Sequence, residues 1–428
     1  MILEFSIGNF RSIKDIQHIS FVAANIVSKS KEVDENNTFQ ATEKHRLLRS
    51  KVIYGANASG KSNFIRGLDI FFGIIKLSVK NENILNIVEP FLLSTETEYK
   101  PTFFQLFFIL EGVVYRYGFE STDKEITSEW LFGSPKSREV TYFIRDNQNL
   151  EVNSKYFKEG HRFHGLINEN NPIFRKNSLF LTALAAFNGE TSQKITNYLL
   201  RINIMSGLED KDIRPLTDDL ISKSEIFKQQ VVEMLKKADI GIKGLLPVNN
   251  IVSGEQGKNG LDEQSYDKKD VHILTFHSKY DENLKPLEKL VPFSLDIHES
   301  EGSRKMYEMA PSILMFLEHG GFLVIDEFDA RLHPRLSKKI IELFNSPKTN
   351  PKNAQLLVVT HDTNLLSAQL FRRDQICFVE KDKYEASHIY TLAEFKGVRN
   401  DASFEKDYLD GRYGAVPFLN GFSSIFEN

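Results

Sequence analysis

Cysteine is almost absent from this sequence, with Cys377 the only one in 428 residues. A single cysteine excludes an internal disulfide bond and a zinc site built from cysteines, and it fits a reducing compartment such as the cytoplasm. Because Cys377 lies in the apolar run Ile-Cys-Phe-Val, we predict a small buried residue there and not a reactive thiol.

Long apolar runs and an excess of charge of one sign are also missing. No stretch of about 18 apolar residues occurs, and the first residues lack a basic region followed by an apolar core, so we expect a soluble cytoplasmic protein with no membrane partner. The 54 Lys and Arg residues nearly balance the 58 Asp and Glu residues, for a formal net charge of -4. This balance does not indicate DNA binding, although a local basic surface at Arg372, Arg373, Lys381 and Lys383 would permit it; a solvated charged face is the simpler interpretation of that cluster.

A phosphate-binding loop is the strongest motif that is present. Residues 55–62, Gly-Ala-Asn-Ala-Ser-Gly-Lys-Ser, match G-x-x-x-x-G-K-[ST]. The residues before the loop are typical of a buried strand and those after it are apolar at helical spacing, which is the strand-to-helix context that such a loop requires. Backbone N–H groups would bind phosphates, Lys61 would reach the β- and γ-phosphates, and the Ser62 hydroxyl would bind Mg²⁺, so we predict ATP and Mg²⁺ as cofactors. The candidate nucleotide-binding residues of this segment are Gly55, Asn57, Ser59, Gly60, Lys61, Ser62 and Asn63.

The segments on either side of this loop predict a β-rich surrounding. Apolar and polar residues alternate at residues 3–7 and 19–21, on either side of a turn that contains Arg11, and this spacing predicts two strands. Arg11 either folds over the nucleotide or is an exposed turn residue, and the spacing does not decide between them. Residues 26–46 are polar and predict a long surface loop. Strand-like runs follow at 103–110, 113–120 and 140–145. Gln105, in the first of them, is a candidate metal-sensing glutamine, although an exposed strand side chain is the simpler interpretation.

The middle of the chain is mainly helical by its pattern. Residues 177–187 and 192–204 have helical spacing, and residues 218–237 have an apolar stripe beside many Lys and Glu residues. Heptads are not sustained, so a long coiled-coil arm is not expected. Residues 271–276 read as a strand.

The second half supplies the other candidate site residues. Ser300 and Gly302 precede a run with one apolar helix face, so this segment caps a helix. An apolar strand then ends in Asp326, a candidate Mg²⁺ ligand, and Glu327, a candidate catalytic residue that orients the water attacking the γ-phosphate. The next strand leads into His361, for which the order of motifs predicts a second catalytic role as a γ-phosphate sensor.

Taken together, these motifs resemble those of an ABC-type ATPase. The residues that carry this resemblance are 55–63, Ser300-Glu301-Gly302, Asp326-Glu327, Leu332-His333 and His361. The runs Asn-Phe-Arg-Ser at residues 9–12 and Gly-Lys-Ser-Asn at 60–63 resemble the branch that includes RecF, SMC proteins and the overcoming-lysogenisation-defect ATPases. Residues 299–302, 326–329, 332–334, 401–405 and 411–418 are similar to the bacterial abortive-infection ATPases of the AbiLi or RloA kind.

The resemblance implies an α/β fold, an ABC-type P-loop ATPase head with a β-rich subdomain and an inserted mainly helical region. The expected division is 1–150 for the lobe with the phosphate loop, 151–290 for the insertion and 291–428 for the lobe with the signature, Asp326 and His361. It also implies a Mg²⁺-dependent ATPase that forms a head-to-head dimer or higher oligomer, in which Ser300 and Gly302 serve the nucleotide of the partner.

Phage defence through abortive infection is the function that the resemblance implies, with a separately encoded effector, a nuclease, as partner. No Asp-x-Asp follows Glu380 to complete a nuclease metal site within this chain, so we interpret Glu380 as a structural residue. Two alternatives stay open: a DNA-repair or chromosome-organising ATPase of the RecF or SMC kind that binds DNA, and the energy subunit of a transporter.

Overall fold

The computed structural model of the chain describes residues 1–136, 138–161, 174–207, 213–238, 240–249, 271–398 and 402–417. The strands are β1 (Ile2–Gly8), β2 (Gln17–Ser20), β3 (Thr38–Gln40), β4 (Arg46–Leu48), β5 (Ser50–Tyr54), β6 (Thr102–Leu110), β7 (Val113–Ser121), β8 (Ile126–Ser134), β9 (Val140–Asp146), β10 (Asn149–Val152), β11 (Asn203–Ser206), β12 (Gly244–Asn249), β13 (Val271–Tyr280), β14 (Pro286–Ser294), β15 (Phe322–Asp326), β16 (Gln355–Val359), β17 (Ile376–Lys381) and β18 (Ser387–Thr391). The helices are α1 (Lys31–Asn36), α2 (Lys61–Leu77), α3 (Lys158–His161), α4 (Phe180–Ala186), α5 (Glu190–Leu199), α6 (Ile213–Lys223), α7 (Glu225–Lys237), α8 (Leu295–His298), α9 (Glu301–His319), α10 (Pro334–Asn345) and α11 (Phe404–Leu409).

A six-stranded sheet, called the central sheet below, has the order β11-β15-β16-β5-β17-β18. The first five strands are parallel to their neighbours, and β18 runs antiparallel to β17. Because the carboxyl ends of parallel strands meet at one edge of a sheet, the segments that follow β5, β15 and β16 come together there. These are the segments that carry the phosphate loop, Asp326-Glu327 and His361.

The second large sheet is antiparallel, in the order β10-β9-β8-β7-β6-β1-β2. Helix α2 buries its apolar residues in the core that this sheet shares with one face of the central sheet, and Phe71 of α2 stacks on Phe119 of β7 at 5.4 Å. Residues of α9 and α10 pack on the opposite face of the central sheet. The predicted α/β class with a β-rich subdomain is therefore confirmed. Cys377 is buried, as predicted.

Residues 26–46 differ from the predicted surface loop. They contain α1 and the two-stranded β3–β4 sheet, and Val33 and Phe39 are buried. Asp34 of α1 forms an ion pair with Arg372, which is only 1% exposed and also pairs with Asp374 at 2.9 Å. Since Arg372 is buried and paired with two carboxylates, it belongs neither to the solvated charged face that we expected nor to the alternative basic surface.

The region 151–290 contains more strand than its sequence pattern predicts. Asn203–Ser206, read from the pattern as the end of a helix, is β11 and pairs in parallel with β15 of the central sheet. Three further strands, β12, β13 and β14, form a separate sheet. The domain boundaries stay a prediction, but β11 belongs by its hydrogen bonds to the central sheet.

Residues 404–415 pack on β17, next to β5 in the central sheet. Tyr408 of α11 stacks on Phe378 at 5.3 Å, and Glu380 Oε2 accepts a hydrogen bond from the Ala415 N–H at 3.0 Å. Glu380 thus anchors this segment, as expected of a structural residue; residues 401 and 418 of the family-like tail lie outside the described residues. None of the described helices is long and apolar enough to cross a membrane.

Candidate functional site

The turn from β5 into α2 forms the phosphate loop at the carboxyl edge of the central sheet. Gly60 is the N-cap of α2 with φ of 108°, and a Cβ at this position would collide with the hydroxyls of Ser12 and Ser387. Only glycine adopts this conformation freely and leaves that space. No side chain of the described residues caps α2, so its first backbone N–H groups stay available to an anion.

Lys61 bends back over the loop. Its Nζ donates hydrogen bonds to the carbonyl oxygens of Gly55 at 2.8 Å and Ala56 at 2.9 Å. Partial burial lowers the pKa of Lys61, and the carboxylates that follow β15 oppose this shift. The ammonium is therefore already placed between the loop backbone and a group of carboxylates, where phosphate oxygens would compete for it.

The other predicted loop residues have different surroundings. Asn57 is exposed, whereas Ser59 is buried and its Oγ has no hydrogen-bond partner among the described residues. Asn63 Nδ2 donates to Ser12 Oγ at 2.8 Å, and Ser387 Oγ donates to the Ser59 carbonyl at 2.7 Å and is hydrogen-bonded to the same Ser12 oxygen at 2.8 Å. Ser12 and Ser387 thus tie the N-terminal turn and β18 to the loop, a role that sequence reasoning missed because the three segments are far apart in the chain.

A cleft of about 420 Å³ lies beside α2, at the ends of β11 and β15. Ser62 and Asp326, the two predicted Mg²⁺ ligands, both line this cleft, and so does Arg11. Arg11 Nη2 forms an ion pair with Glu89 Oε1 at 2.8 Å, which holds the guanidinium at the cleft. Direct contact between Arg11 and a nucleotide stays a prediction.

The groups in this cleft fit a magnesium ion. Mg²⁺ prefers oxygen ligands and is usually bound through one or two protein groups together with phosphate oxygens and water. The Ser62 hydroxyl and the Asp326 carboxylate are such groups, and Asp326 Oδ1 accepts a hydrogen bond from the Glu327 N–H at 3.0 Å that orients it. Within the described ranges, no three His, Cys, Asp or Glu side chains cluster as an all-protein metal site.

The two candidate catalytic residues follow neighbouring strands. Glu327 comes directly after β15 with φ of 49°, and its Oε2 is buried with no hydrogen-bond partner among the residues the structure describes. Burial raises the pKa of Glu327, and the negative charge of Asp326 raises it further. The His361 N–H donates to Asp329 Oδ1 at 3.1 Å. Partial desolvation and the nearby charge of Lys61 lower the pKa of His361, so its imidazole is neutral at pH 7.

The signature-like residues lie at the exposed N-terminus of α9. Ser300 is its N-cap, and Ser300 Oγ accepts a hydrogen bond from the Ser303 N–H at 3.1 Å. Gly302 lies against the loop after β15, where a Cβ would be 2.7 Å from the Arg331 carbonyl oxygen. Neither Ser300 nor Gly302 lines the cleft beside α2. Gly302 thus packs on the loop after β15, and Glu301 forms an ion pair with Arg331 of the same loop at 3.3 Å.

Gln105 does not line the cleft beside α2, which favours the simpler interpretation of a strand side chain. It lies within β6 opposite Gly118 of β7, and its Oε1 accepts a hydrogen bond from Trp130 Nε1 at 3.1 Å. His333, in the run 332–334 that carries part of the family resemblance, is the N-cap of α10. Its Nδ1 accepts a hydrogen bond from the Arg335 N–H at 3.2 Å.

Comparison with known proteins identifies a family and similar solved structures. A family model described as "AAA domain, putative AbiEii toxin, Type IV TA system" matches residues 52–367, the range that contains all candidate site residues except Arg11. Among solved structures, the chain is similar to the SMC head domain from Thermotoga maritima, with 15% sequence identity and a TM-score of 0.39 over 91% of this chain and 98% of that one. No curated protein matches the chain.

Proposed function

The chain belongs to the AAA domain family described as putative AbiEii toxin of type IV toxin–antitoxin systems, and from this premise we propose that it is a Mg²⁺-dependent ATPase that acts as a nucleotide-driven switch in antiphage defence. In this role, ATP binding and hydrolysis control a separately encoded effector, a nuclease. The observation that carries the ATPase part is that Ser62 and Asp326 line one cleft, with Glu327 hydrogen-bonded to Asp326 through its backbone.

Each group at the carboxyl edge of the central sheet has a chemical task in this proposal. The N–H groups of α2 and the Lys61 ammonium bind the phosphates, and Ser62 with Asp326 holds the metal. Bound Mg²⁺ neutralises charge that develops on the phosphate oxygens. Glu327 accepts a hydrogen bond from the attacking water and orients it, and the neutral imidazole of His361 hydrogen-bonds at the γ-phosphate.

The position of the signature-like residues supports a head-to-head dimer. Ser300 is exposed at the N-terminus of a 19-residue helix, and a helix N-terminus favours an anion. In the head-to-head dimer that the motifs imply, the phosphate that Ser300 and Gly302 would contact is one bound by a second copy. Two such composite sites then form across a two-fold axis.

A mixing experiment tests this composite site. We expect Lys61→Ala to lose nucleotide binding and Ser300→Arg to block the partner's site, so each variant alone is inactive. A 1:1 mixture should recover about a quarter of the parental ATP turnover, because half of the dimers are mixed and each has one intact site out of two. Mixing Lys61→Ala with Asp326→Ala is the matched control and should recover nothing, since both residues serve the same half of a site. No recovery in the Lys61 and Ser300 mixture would contradict the composite site.

The effector is tested by purifying the protein with the product of its neighbouring gene. With Glu327→Gln to retain ATP, we expect a stable complex whose mass is measured by light scattering. A phage or DNA trigger should then release or activate the partner in the parental protein. Full ATP turnover, no complex, and DNA binding that weakens steeply with salt would overturn the defence switch in favour of a DNA-repair ATPase.

A further inference from the structure

Lys305 of α9 is a buried lysine whose ammonium contacts the turn that carries Glu327. Its exposed fraction is 1%. The Nζ atom donates hydrogen bonds to the carbonyl oxygens of Glu327 at 3.2 Å, Phe328 at 3.1 Å and Ala330 at 2.6 Å. A buried ammonium is costly unless hydrogen bonds and charge compensate it, so this arrangement specifies where the turn must lie.

The turn needs such support because of its backbone conformation. Glu327 has φ of 49° and Arg331 has φ of 65°, both in the left-handed region. Non-glycine residues adopt that region only when their surroundings hold them there. Beside Lys305, the Gly207 N–H donates to the Asp326 carbonyl at 2.8 Å, and a Cβ at Gly207 would be 2.8 Å from Lys305 Nζ. The strand end is therefore held by the backbone of the residue that follows β11 and by two side chains of α9: Lys305, and Glu301, which forms an ion pair with Arg331 at 3.3 Å.

Lys305 also lies close to the signature-like end of the same helix. It follows Ser300 by five positions, about 7.5 Å along the helix axis at 1.5 Å per residue. Gly302, between them, packs on the carbonyl oxygen of Arg331. A shift of the α9 N-terminus would move the ammonium and, with it, the three carbonyl groups it binds.

We propose that Lys305 is a positioning residue that fixes Glu327 to the signature helix, so that contact at Ser300 is transmitted to the placement of Glu327. This role rests on the proposed ATPase function and adds to it a route within one chain between the helix that a second copy would contact and the residue that orients water. Lys305 itself touches neither nucleotide nor water in this role.

Lys305→Met tests the proposal, because it keeps an apolar side chain of similar length and removes the donor. We expect kcat to fall about 100-fold, the loss typical of a misplaced catalytic group. ATP affinity and ATP-dependent dimer formation should change by less than about threefold, because the phosphate loop and Ser300 are untouched. Lys305→Arg should lie between the parent and Lys305→Met, since it keeps the charge and donors in a different geometry.

Lys51→Met is the matched control. Lys51 is also buried, at 2% exposed, and its Nζ donates to the Ser20 carbonyl oxygen at 2.8 Å, away from the cleft. This variant should keep the parental kcat whatever its stability. A parental kcat in Lys305→Met, or a joint loss of ATP affinity and kcat in both methionine variants, would overturn the positioning role. If Lys305→Met does not fold, a parental kcat in Lys305→Arg overturns it and a reduced kcat at parental ATP affinity supports it. If the parental protein binds ATP but does not hydrolyse it, the proposed ATPase function is wrong, and the positioning role of Lys305 is wrong with it.

Discussion

Replacing Glu327 with glutamine should slow ATP turnover by about 10²–10⁴-fold and leave ATP binding intact. The substitution keeps the size of the side chain and removes the charged oxygen that is buried without a partner in the described part of the chain. A positioned base contributes about 10²–10⁴-fold to a rate, so we expect kcat to fall by that factor. Phosphate release measures turnover, and light scattering with ATP should show a dimer that persists in the variant.

The pH dependence of the parental protein should follow the same carboxylate. The pKa of Glu327 is raised by burial and by Asp326, and only the ionised form accepts a proton or orients water as a base. Activity is therefore fully present above the raised pKa and is lost as the pH falls through it. In the Glu327→Gln variant, the residual ATP turnover should not show this loss of activity at low pH.

Glu318→Gln provides the control for the Glu327 variant. Glu318 is an exposed residue near the C-terminal end of α9, so the same change of charge there should leave kcat unchanged. If Glu327→Gln hydrolysed ATP as fast as the parent, another group would have to orient the water, and the assignment of Glu327 would be wrong.

The parts of the site that could be predicted from the sequence are local ones. The phosphate loop, the Ser300 cap and the strand that ends at Asp326 each depend on a short run of residues whose spacing fixes the turn. Their meeting at one sheet edge followed from the parallel order of β5, β15 and β16. Lys305, by contrast, reads as one more charge on an amphipathic helix, and only the packed structure shows that it faces the Glu327 turn.

The strand β8 could not be predicted, and Glu129 explains why. A strand with one buried face is recognised by apolar residues at every second position. In β8, Glu129 occupies one of the buried positions. Because a charged residue is normally expected to be exposed, Glu129 interrupts the apolar pattern, although it is fully buried. The short strand β11 was missed for a different reason, since its partner β15 is more than 100 residues away in the chain.

Glu129→Gln should destabilise the fold more than any other single change on the antiparallel sheet. Its carboxylate accepts hydrogen bonds from the N–H groups of Phe180 at 2.6 Å and Leu181 at 3.0 Å and from the Tyr117 hydroxyl at 3.0 Å, and it lies 3.6 Å from the buried guanidinium of Arg145. The glutamine amide would turn its NH₂ group toward some of these hydrogen-bond donors, and Arg145 would lose its counter-charge. Losing one partner of a buried pair costs about 3–5 kcal/mol of unfolding free energy. Urea unfolding followed by the fluorescence of the adjacent Trp130, the single tryptophan, measures this loss.

An exposed ion pair at the start of the same strand separates burial from charge. Glu125 lies 3.2 Å from Lys176, with side chains 41% and 63% exposed, and such pairs contribute about 0–1 kcal/mol. Glu125→Gln should therefore barely move the unfolding midpoint. Adding Arg145→Met to Glu129→Gln should cost less than the sum of the two single changes, because the uncompensated charge is removed. Equal urea midpoints for the Glu125→Gln and Glu129→Gln variants would contradict this account. Burial would then add nothing to the unfolding free energy that is lost when an ion pair is broken.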